Sequence, residues 1–150
     1  MASISVVGEA DLDDLLPLMR GYCEFYEVAP GDGDLLALSR ALIADREREG
    51  FQLIARDEDG SAVGFATVFW NWSTLSARRE ALMNDLFVAP EARGTGLADA
   101  LIGECARRAR DAGGRELDWQ TARDNRRAQA VYDRVGGKRD ERWLAYSLPL

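Results

Sequence analysis

Residues 81–112, ALMNDLFVAPEARGTGLADALIGECARRARDA, decide the fold of this chain. Residues 82–88 are apolar on both sides of the polar pair Asn84-Asp85, which predicts a buried strand. A turn follows at residues 93–96. Beyond it, apolar residues recur with the 3.6-residue period of an amphipathic helix. The stretch therefore predicts a strand, a glycine-containing turn and a helix in direct succession.

The turn Arg93-Gly94-Thr95-Gly96 has the properties of an anion site. A helix that begins after such a turn has unpaired backbone N–H groups in its first turn, and glycine lets another molecule approach that backbone closely. The helix dipole and Arg93 both favour negative charge there. The turn lacks the lysine of a Walker loop and the third glycine of a dinucleotide fingerprint. We therefore predict a phosphate site of another type.

Composition restricts the class of protein. The 150 residues are 47% hydrophobic and 30% charged, which predicts one globular domain, residues 1–150. No apolar run reaches membrane-spanning length and no signal pattern opens the chain, so we expect a cytoplasmic protein without a membrane partner. The absence of histidine removes a Ser/His or Cys/His nucleophile system and argues against a metal site. Cys23 and Cys105 are expected to be core thiols.

Charge is distributed unevenly along the chain. Residues 1–92 carry 17 acidic and 7 basic side chains, whereas residues 93–150 carry 9 acidic and 12 basic ones. A solvated surface accounts for most of these charges. A functional interpretation is that the second part holds an anionic cofactor and the first offers acidic walls to a cationic substrate. The pI near 4.7 argues against nucleic-acid binding.

The remaining residues predict a sheet flanked by helices. The predicted strands are residues 4–7, 51–56, 62–70, 80–88, 115–120 and 143–148. The predicted helices are residues 12–30, 34–49, 97–112 and 125–135, with Asp11 and Asp124 as the caps of the first and last. A hairpin turn is expected at residues 57–60 and a loop at 71–74. Because strand 115–120 follows a crossover helix, it should run parallel to the central strand.

A second motif lies in residues 125–132, NRRAQAVY. Asn125, Ala128 and Tyr132 fall on neighbouring turns of one predicted helix. By itself this is ordinary helix sequence, with Asn125 as a cap. Together with the glycine turn, however, the spacing N-x-x-A-x-x-x-Y resembles the GNAT superfamily of acyl-CoA-dependent N-acyltransferases. Residues 93–98 resemble the pyrophosphate loop of that family, Arg/Gln-x-x-Gly-x-Gly/Ala.

The resemblance implies an α+β fold with the order β-α-α-β-β-β-α-β-α-β. It implies a mixed, mostly antiparallel sheet of six or seven strands, four flanking helices and a sheet that splays between the fourth and fifth strands. Within the superfamily, residues 84–143 look most like the diamine/spermidine acetyltransferase branch. That branch carries a glutamate where this chain has Asn84, a residue that the resemblance places at the acceptor.

The resemblance also implies a donor, acetyl-CoA, and the residues that would bind it. Residues 86–88 would hold the pantetheine arm through their backbone, residues 93–98 the pyrophosphate, and Asn125 and Ala128 the arm near the thioester. The cofactor set is therefore Leu86, Phe87, Val88, Arg93, Gly94, Thr95, Gly96, Leu97, Ala98, Asn125 and Ala128.

For catalysis we predict direct attack of a small primary amine on the thioester, with Tyr132 donating a proton to the leaving thiolate. Asp85 is the first candidate for the general base, ahead of Glu24, Glu27 or Glu141 acting through water. Aromatic side chains that occur near acidic residues suggest a pocket for a cationic amine, although core packing explains each of them alone. The predicted acceptor set is Tyr22, Glu24, Tyr26, Glu27, Trp70, Asn84, Trp119 and Glu141, with Trp72 beside it.

Three other functions remain open at this point. The chain could be an acyl-CoA-binding module without catalysis, a nucleotide-binding protein, or an enzyme that acetylates a protein N-terminus or lysine. Tyr132 argues against the first, and the missing lysine and third glycine argue against the second. A homodimer is expected by the resemblance, with residues 143–148 as the candidate contact.

Overall fold

The computed structural model describes residues 2–150, which form four α-helices and five β-strands in two compact units, residues 2–120 and Thr121–Leu150. The strands are β1 (Ser3–Val6), β2 (Gly50–Arg56), β3 (Ala62–Ser73), β4 (Arg78–Val88) and β5 (Leu117–Asp118). The helices are α1 (Leu12–Phe25), α2 (Asp32–Ala44), α3 (Leu97–Asp111) and α4 (Arg126–Arg134). Within these residues no helix is long and apolar enough to cross a membrane.

The strands form one sheet in the order β1-β2-β3-β4-β5. Neighbours from β1 to β4 run antiparallel, and β5 runs parallel to β4 because α3 carries the chain back across the sheet. This confirms the predicted α+β class, the mixed and mostly antiparallel sheet, and the parallel pair around the crossover helix.

The number of strands is smaller than expected, five in the described residues against the predicted six or seven. Residues 143–148 form no strand, and Trp143 and Tyr146 are exposed. A strand needs a neighbour to satisfy its backbone groups, and the unit Thr121–Leu150 contains α4 but no strand among its described residues. The predicted strand 115–120 is likewise reduced to β5.

Element ends differ from the predictions where tertiary contacts replace local signals. The helix α2 ends at Ala44 and not near residue 49. Strand β3 continues through the predicted loop 71–74 as far as Ser73, because it pairs with the early part of β4. The cap of α4 is Asn125, whose side chain accepts a hydrogen bond from Ala128 N, and not Asp124.

Helices cover both faces of the sheet. On one face α1 packs its residues Leu15 and Met19 against Phe65 of β3. The neighbouring residue of β3, Gly64, points to the other face, where a Cβ would come within 3.3 Å of side-chain atoms of Leu97 and Leu101 on α3. Successive residues of the central strands therefore alternate between an α1 face and an α3 face.

The cysteines are free thiols on helices. Cys105 on α3 has no exposed surface, and burial raises its pKa to about 12. A thiol with such a pKa is not a nucleophile at neutral pH, so Cys105 is a core residue as predicted. Cys23 on α1 is half-buried.

Candidate active site

The sheet opens along the second half of β4. Pairing between β4 and β5 is confined to Ala81 with Leu117 and Leu82 with Asp118. Beyond this point β4 continues to Val88 with β3 as its partner. The predicted splay between the fourth and fifth strands is thereby confirmed. The proposed pantetheine-binding residues 86–88 lie on the part of β4 that has left β5.

A β-bulge marks the point where β4 separates. Thr67 of β3 pairs with Asp85, but the next residue, Val68, pairs with Met83, so Asn84 is the extra residue. A bulge re-aims the side chains next to it and is common beside active sites. Here the Nδ2 group of Asn84 donates to Asp85 Oδ1 at 3.0 Å. The Tyr22 hydroxyl lies 3.3 Å from the carbonyl oxygen of Asn84 and also reaches the Asp85 carboxylate, so its single proton is shared between these two acceptors.

Asp85 is a partly buried carboxylate on the α1 face of the sheet. Burial raises its pKa above the ordinary value of an aspartate. Hydrogen bonds with Thr67, Tyr22 and Asn84 act in the opposite direction and stabilise the ionised form. A carboxylate with a raised pKa can accept a proton near neutral pH better than an ordinary aspartate can.

The end of α1 lies over Asp85. Gly21 allows this approach, since a Cβ there would come within 2.9 Å of the ring of Phe87. Burial, and then the charge of Asp85, raise the pKa of the Tyr22 hydroxyl, so that it remains a donor. The ring of Tyr22 packs edge-on against Tyr26 at 5.1 Å and against Phe65 at 5.9 Å. Tyr22 is thus, with Asn84, a predicted acceptor residue that the structure brings to Asp85.

The other acceptor candidates from this part of the chain lie in the last turn of α1 or directly after it. Glu24, Tyr26 and Glu27 are exposed. Glu27 has a φ of 60°, in the left-handed region, while the N–H of Val28 donates to the carbonyl oxygen of Cys23. This is the hydrogen-bond pattern that ends a helix with a left-handed residue, a position usually occupied by glycine. The glutamate there adds a carboxylate at the exposed end of α1.

The glycine turn is exposed and leads directly into α3. Gly94 and Gly96 have φ values of 77° and 81°, which favour glycine. Arg93 Nε donates to the carbonyl oxygen of Val88 at 3.2 Å, and Thr95 Oγ1 donates to that of Ala92 at 2.6 Å. The first bond ties the turn to the end of β4, and the second closes the turn on itself. The first N–H groups of α3 and the Arg93 charge therefore lie at the end of the opened edge, an arrangement that favours an anion.

Trp70 does not join this group of residues. It lies three residues beyond Thr67 on β3, about 10 Å along the strand, and on the α3 face. Its indole N–H donates to the carbonyl oxygen of Arg46, and the Arg79 guanidinium lies over its ring at 5.4 Å. Trp72, which is exposed, contacts the same guanidinium at 5.8 Å. Trp70 and Arg79 line an open cavity of about 540 Å³.

Trp119 follows β5 directly and is half-buried. In the unit Thr121–Leu150, Asn125 begins α4 and its Oδ1 accepts from Ala128 N at 3.2 Å. Tyr132 lies further along α4 and is half-buried, while Glu141 is exposed. The side-chain oxygen of Asn125 therefore caps its own helix, while its Nδ2 group remains available as a donor.

Two residues of the site were missed by sequence reasoning. Thr67 is fully buried and hydrogen-bonded to Asp85. Gln52 on β2 is also buried, and its Nε2 donates to Thr67 Oγ1 at 3.1 Å. The signal in the sequence is a polar residue within the apolar run of each strand, residues 51–55 and 62–70. That signal becomes informative once the register of the sheet is known.

Comparison with known proteins agrees with this geometry. A profile described as the acetyltransferase (GNAT) family matches residues 15–137. The uncharacterized N-acetyltransferase YhfO of Bacillus subtilis (strain 168) is 31% identical over 93% of this chain and 91% of its own length. A crystal structure of a probable acetyltransferase has a TM-score of 0.84 and 29% identity over 99% of this chain and 97% of that one. The D-amino-acid N-acetyltransferase HPA3 of Saccharomyces cerevisiae is 34% identical over 56% of this chain and 52% of its own length.

Proposed function

Because the chain belongs to the acetyltransferase (GNAT) family, we propose that it transfers the acetyl group of acetyl-CoA to a small primary amine. The family is one of acyltransferases, so the chain is an enzyme that transfers an acyl group to an amine. We propose acetyl-CoA as the donor, a small primary amine as the acceptor, and a role for each residue of the site. The observation that carries it is Asp85, a partly buried carboxylate of raised pKa at the point where β4 leaves β5.

The donor would lie along the opened edge of β4. Its pantetheine arm would take hydrogen bonds from the backbone of residues 86–88, as an added strand does. Its diphosphate would bind the N–H groups of residues 94–98 beside Arg93. On α4, Asn125 and Ala128 would contact the arm near the thioester. The support is the continuous path from β4 through the turn into α3.

Asp85 would activate the acceptor. An ammonium group has no lone pair, so it must lose a proton before its nitrogen can attack the thioester carbon. Asp85 would take that proton directly or through a water molecule. The nitrogen–carbon bond then forms, and the carbonyl oxygen becomes an oxyanion that the N–H of Phe87 or Val88 would stabilise. Since the amine attacks directly, no nucleophile from the enzyme is needed.

Tyr132 would complete the reaction. As the tetrahedral intermediate collapses, the carbon–sulfur bond breaks and sulfur leaves with the electron pair, while the nitrogen, which became positively charged on attack, loses its second proton to water. The phenol of Tyr132 would donate a hydrogen bond, and then its proton, to this thiolate. The support is the position of Tyr132 on α4, one helix with Asn125 and Ala128 in the family's spacing.

The proposed acceptor is a polyamine, an amino acid or a similar small amine. Asp85 and Tyr22, with the acidic and aromatic end of α1 above them, suit an amine that carries positive charge. The sequence relationship to a D-amino-acid N-acetyltransferase supports the same class. Trp70 is not part of this proposal, because it lies on the other face of the sheet.

We further propose that both compact units form one acyltransferase domain, residues 1–150, that acts as a cytoplasmic homodimer. The family profile crosses the boundary between the units, since it ends at residue 137. The apolar residues exposed in 143–148 support self-association.

The experiment is a free-thiol assay with acetyl-CoA against polyamines, D- and L-amino acids, aminoglycosides and peptides that present an N-terminus or a lysine. We expect thiol release with a polyamine or an amino acid, and acetylated amine by mass spectrometry. Release with peptides or aminoglycosides alone would refute the acceptor class. Binding of acetyl-CoA without release for any amine would leave a non-catalytic module and refute the enzyme.

A further inference from the structure

A row of polar side chains crosses the α1 face of the sheet and ends at Asp85. Gln52 on β2 pairs with Thr67 on β3, and Thr67 pairs with Asp85 on β4. The three residues therefore stand side by side on adjacent strands. Gln52 is 3% exposed and Thr67 is 0% exposed.

Hydrogen bonds give this row a direction. Gln52 Nε2 donates to Thr67 Oγ1 at 3.1 Å. A hydroxyl has one proton and can accept on its oxygen at the same time. Because its oxygen already accepts from Gln52, the hydroxyl proton of Thr67 is directed to its other partner, the carboxylate of Asp85.

The orientation of the Gln52 amide therefore determines whether the Thr67 hydroxyl donates to Asp85. If the amide were turned round, its oxygen would draw the Thr67 proton away from Asp85. In the structure the Nε2 group faces Thr67 and also lies 3.7 Å from Met19 Sδ. Gln52 Oε1 is buried and has no hydrogen-bond partner among residues 2–150. An unsatisfied buried acceptor costs free energy, so packing alone does not explain a glutamine there.

The other groups that face Asp85 are neutral. From α1, Tyr22 and Cys23 face it, and the charge of Asp85 contributes to raising the pKa of both. From β4, the amide of Asn84 donates to it. Burial raises the pKa of Asp85, and the hydrogen bonds from neutral donors lower it. The loss of one donor should therefore raise this pKa measurably.

We propose that Gln52 and Thr67 are positioning residues that hold Asp85 ionised and aimed at the acceptor amine. The inference rests on the proposed role of Asp85 as general base. It adds two residues that touch neither substrate and act through a directed pair of hydrogen bonds. No covalent step is added to the reaction.

The test measures the pKa of Asp85 by ¹³C NMR of its carboxyl carbon, together with the pH profile of kcat/KM. Thr67→Val removes the hydroxyl at nearly constant shape. We expect it to raise the pKa of Asp85, and the acidic limb of the profile, by about one to two pH units. Gln52→Leu leaves the hydroxyl free to rotate and should give a smaller rise. Thr67→Ser keeps the hydroxyl and should restore the pKa of the unsubstituted protein.

Ser39→Ala is the matched control. Ser39 is also fully buried, and its hydroxyl contacts Met19 Sδ at 3.6 Å, at the opposite end of the row. Its loss removes a core hydroxyl without touching Thr67 or Asp85. It should leave the pKa of Asp85 unchanged even if it lowers the melting temperature.

The outcomes separate the inference from the proposed function. An unchanged pKa of Asp85 in Thr67→Val overturns the inference. A pKa that rises while the acidic limb stays in place supports the row of hydrogen bonds and refutes Asp85 as the base. If Thr67→Val does not fold, Gln52→Leu decides: a raised pKa supports the inference and an unchanged one overturns it.

Discussion

At the scale of single residues, the chemistry of the site depends on how far Asp85 is removed from water. Its pKa is raised by burial, and the three residues that oppose this effect, Thr67, Tyr22 and Asn84, are all uncharged. Asn84 stands where the diamine/spermidine acetyltransferase branch carries a glutamate, and here its amide donates to Asp85. The bulge therefore holds one carboxylate in place of two, which supports Asp85 as the proposed base.

Asp85→Asn should lower kcat/KM at pH 7 by about 10²- to 10⁴-fold, because it removes the proposed general base. It should also stabilise the protein at high pH. The pKa of Asp85 is higher in the folded protein than in the unfolded chain, so the folded protein binds more protons between these two values. The free energy of unfolding of the unsubstituted protein therefore falls as pH rises through the raised pKa. We expect a higher melting temperature than that of the unsubstituted protein at about pH 8 and no difference at about pH 3.

The control for this variant is Asp59→Asn, an exposed aspartate in the hairpin turn between β2 and β3. It should change neither the turnover nor the pH dependence of the melting temperature. A normal rate in Asp85→Asn would contradict the base assignment, whatever the stability result.

Tyr132→Phe should lower turnover at least about tenfold, because it removes the proposed proton donor to the thiolate but keeps the ring. The affinity for CoA, measured by calorimetry, should change little. Tyr146→Phe is the matched control, since Tyr146 is 90% exposed. Unchanged turnover in Tyr132→Phe would remove Tyr132 from the mechanism.

At the scale of elements, the turn between β4 and α3 is the part of the structure on whose backbone conformation the proposed CoA binding depends. Gly96 is the residue before α3 and has a φ of 81°. Open space surrounds the position of its missing Cβ, so a larger residue would meet no clash and only the backbone conformation would oppose it. The same helix carries Gly103, exposed and with equally open space around its Cβ position.

These two glycines make a matched pair. Gly96→Ala should lower the free energy of unfolding by about 1–2 kcal/mol, because alanine is strained in the left-handed region. It should also weaken CoA binding, since the N–H groups of the turn would shift. Gly103→Ala should stabilise the protein by about 0.5–1 kcal/mol and leave CoA binding unchanged. Denaturant titration and calorimetry measure both quantities. Equal CoA affinity in the two variants would mean that the turn does not hold the donor.

At the scale of the whole molecule, charge and exposed apolar surface are unevenly distributed. The acidic excess lies before residue 93, in the part that carries Asp85 and the end of α1, while the net positive part begins at Arg93. Several exposed large apolar side chains lie near the end of the chain, where Leu144, Tyr146 and Leu148 are 75%, 90% and 81% exposed. Such surface is usually covered by a partner, and the proposed partner is a second copy of this chain.

We expect a dimer by sedimentation velocity, and a monomer after the double substitution Leu144→Lys and Tyr146→Lys. The control is the pair Ala145→Lys and Ser147→Lys, which adds the same charge at neighbouring positions that carry small side chains. The control should remain dimeric. A monomeric unsubstituted protein at about 100 µM would refute the homodimer.

Local signals in the sequence were enough to predict most of the fold. The apolar periods of α1 and α3, the hairpin turn at residues 57–60 and the glycines before α3 are properties of short stretches. The same holds for the parallel placement of β5, because it follows from a crossover helix. The prediction of a strand at residues 143–148 was wrong because a strand also needs a neighbouring strand, which a local alternating pattern cannot supply.

By itself, the sequence determined the strand, turn and helix of residues 81–112, and with them the family. Only the tertiary structure decided which residues stand beside Asp85. Gln52 and Thr67 lie 33 and 18 positions before it in the chain, and only strand register brings them into one row. Register also separates Trp70 from Asp85 by placing them on opposite faces. The physical reason is that side chains alternate along a strand, so a shift of one residue exchanges the faces.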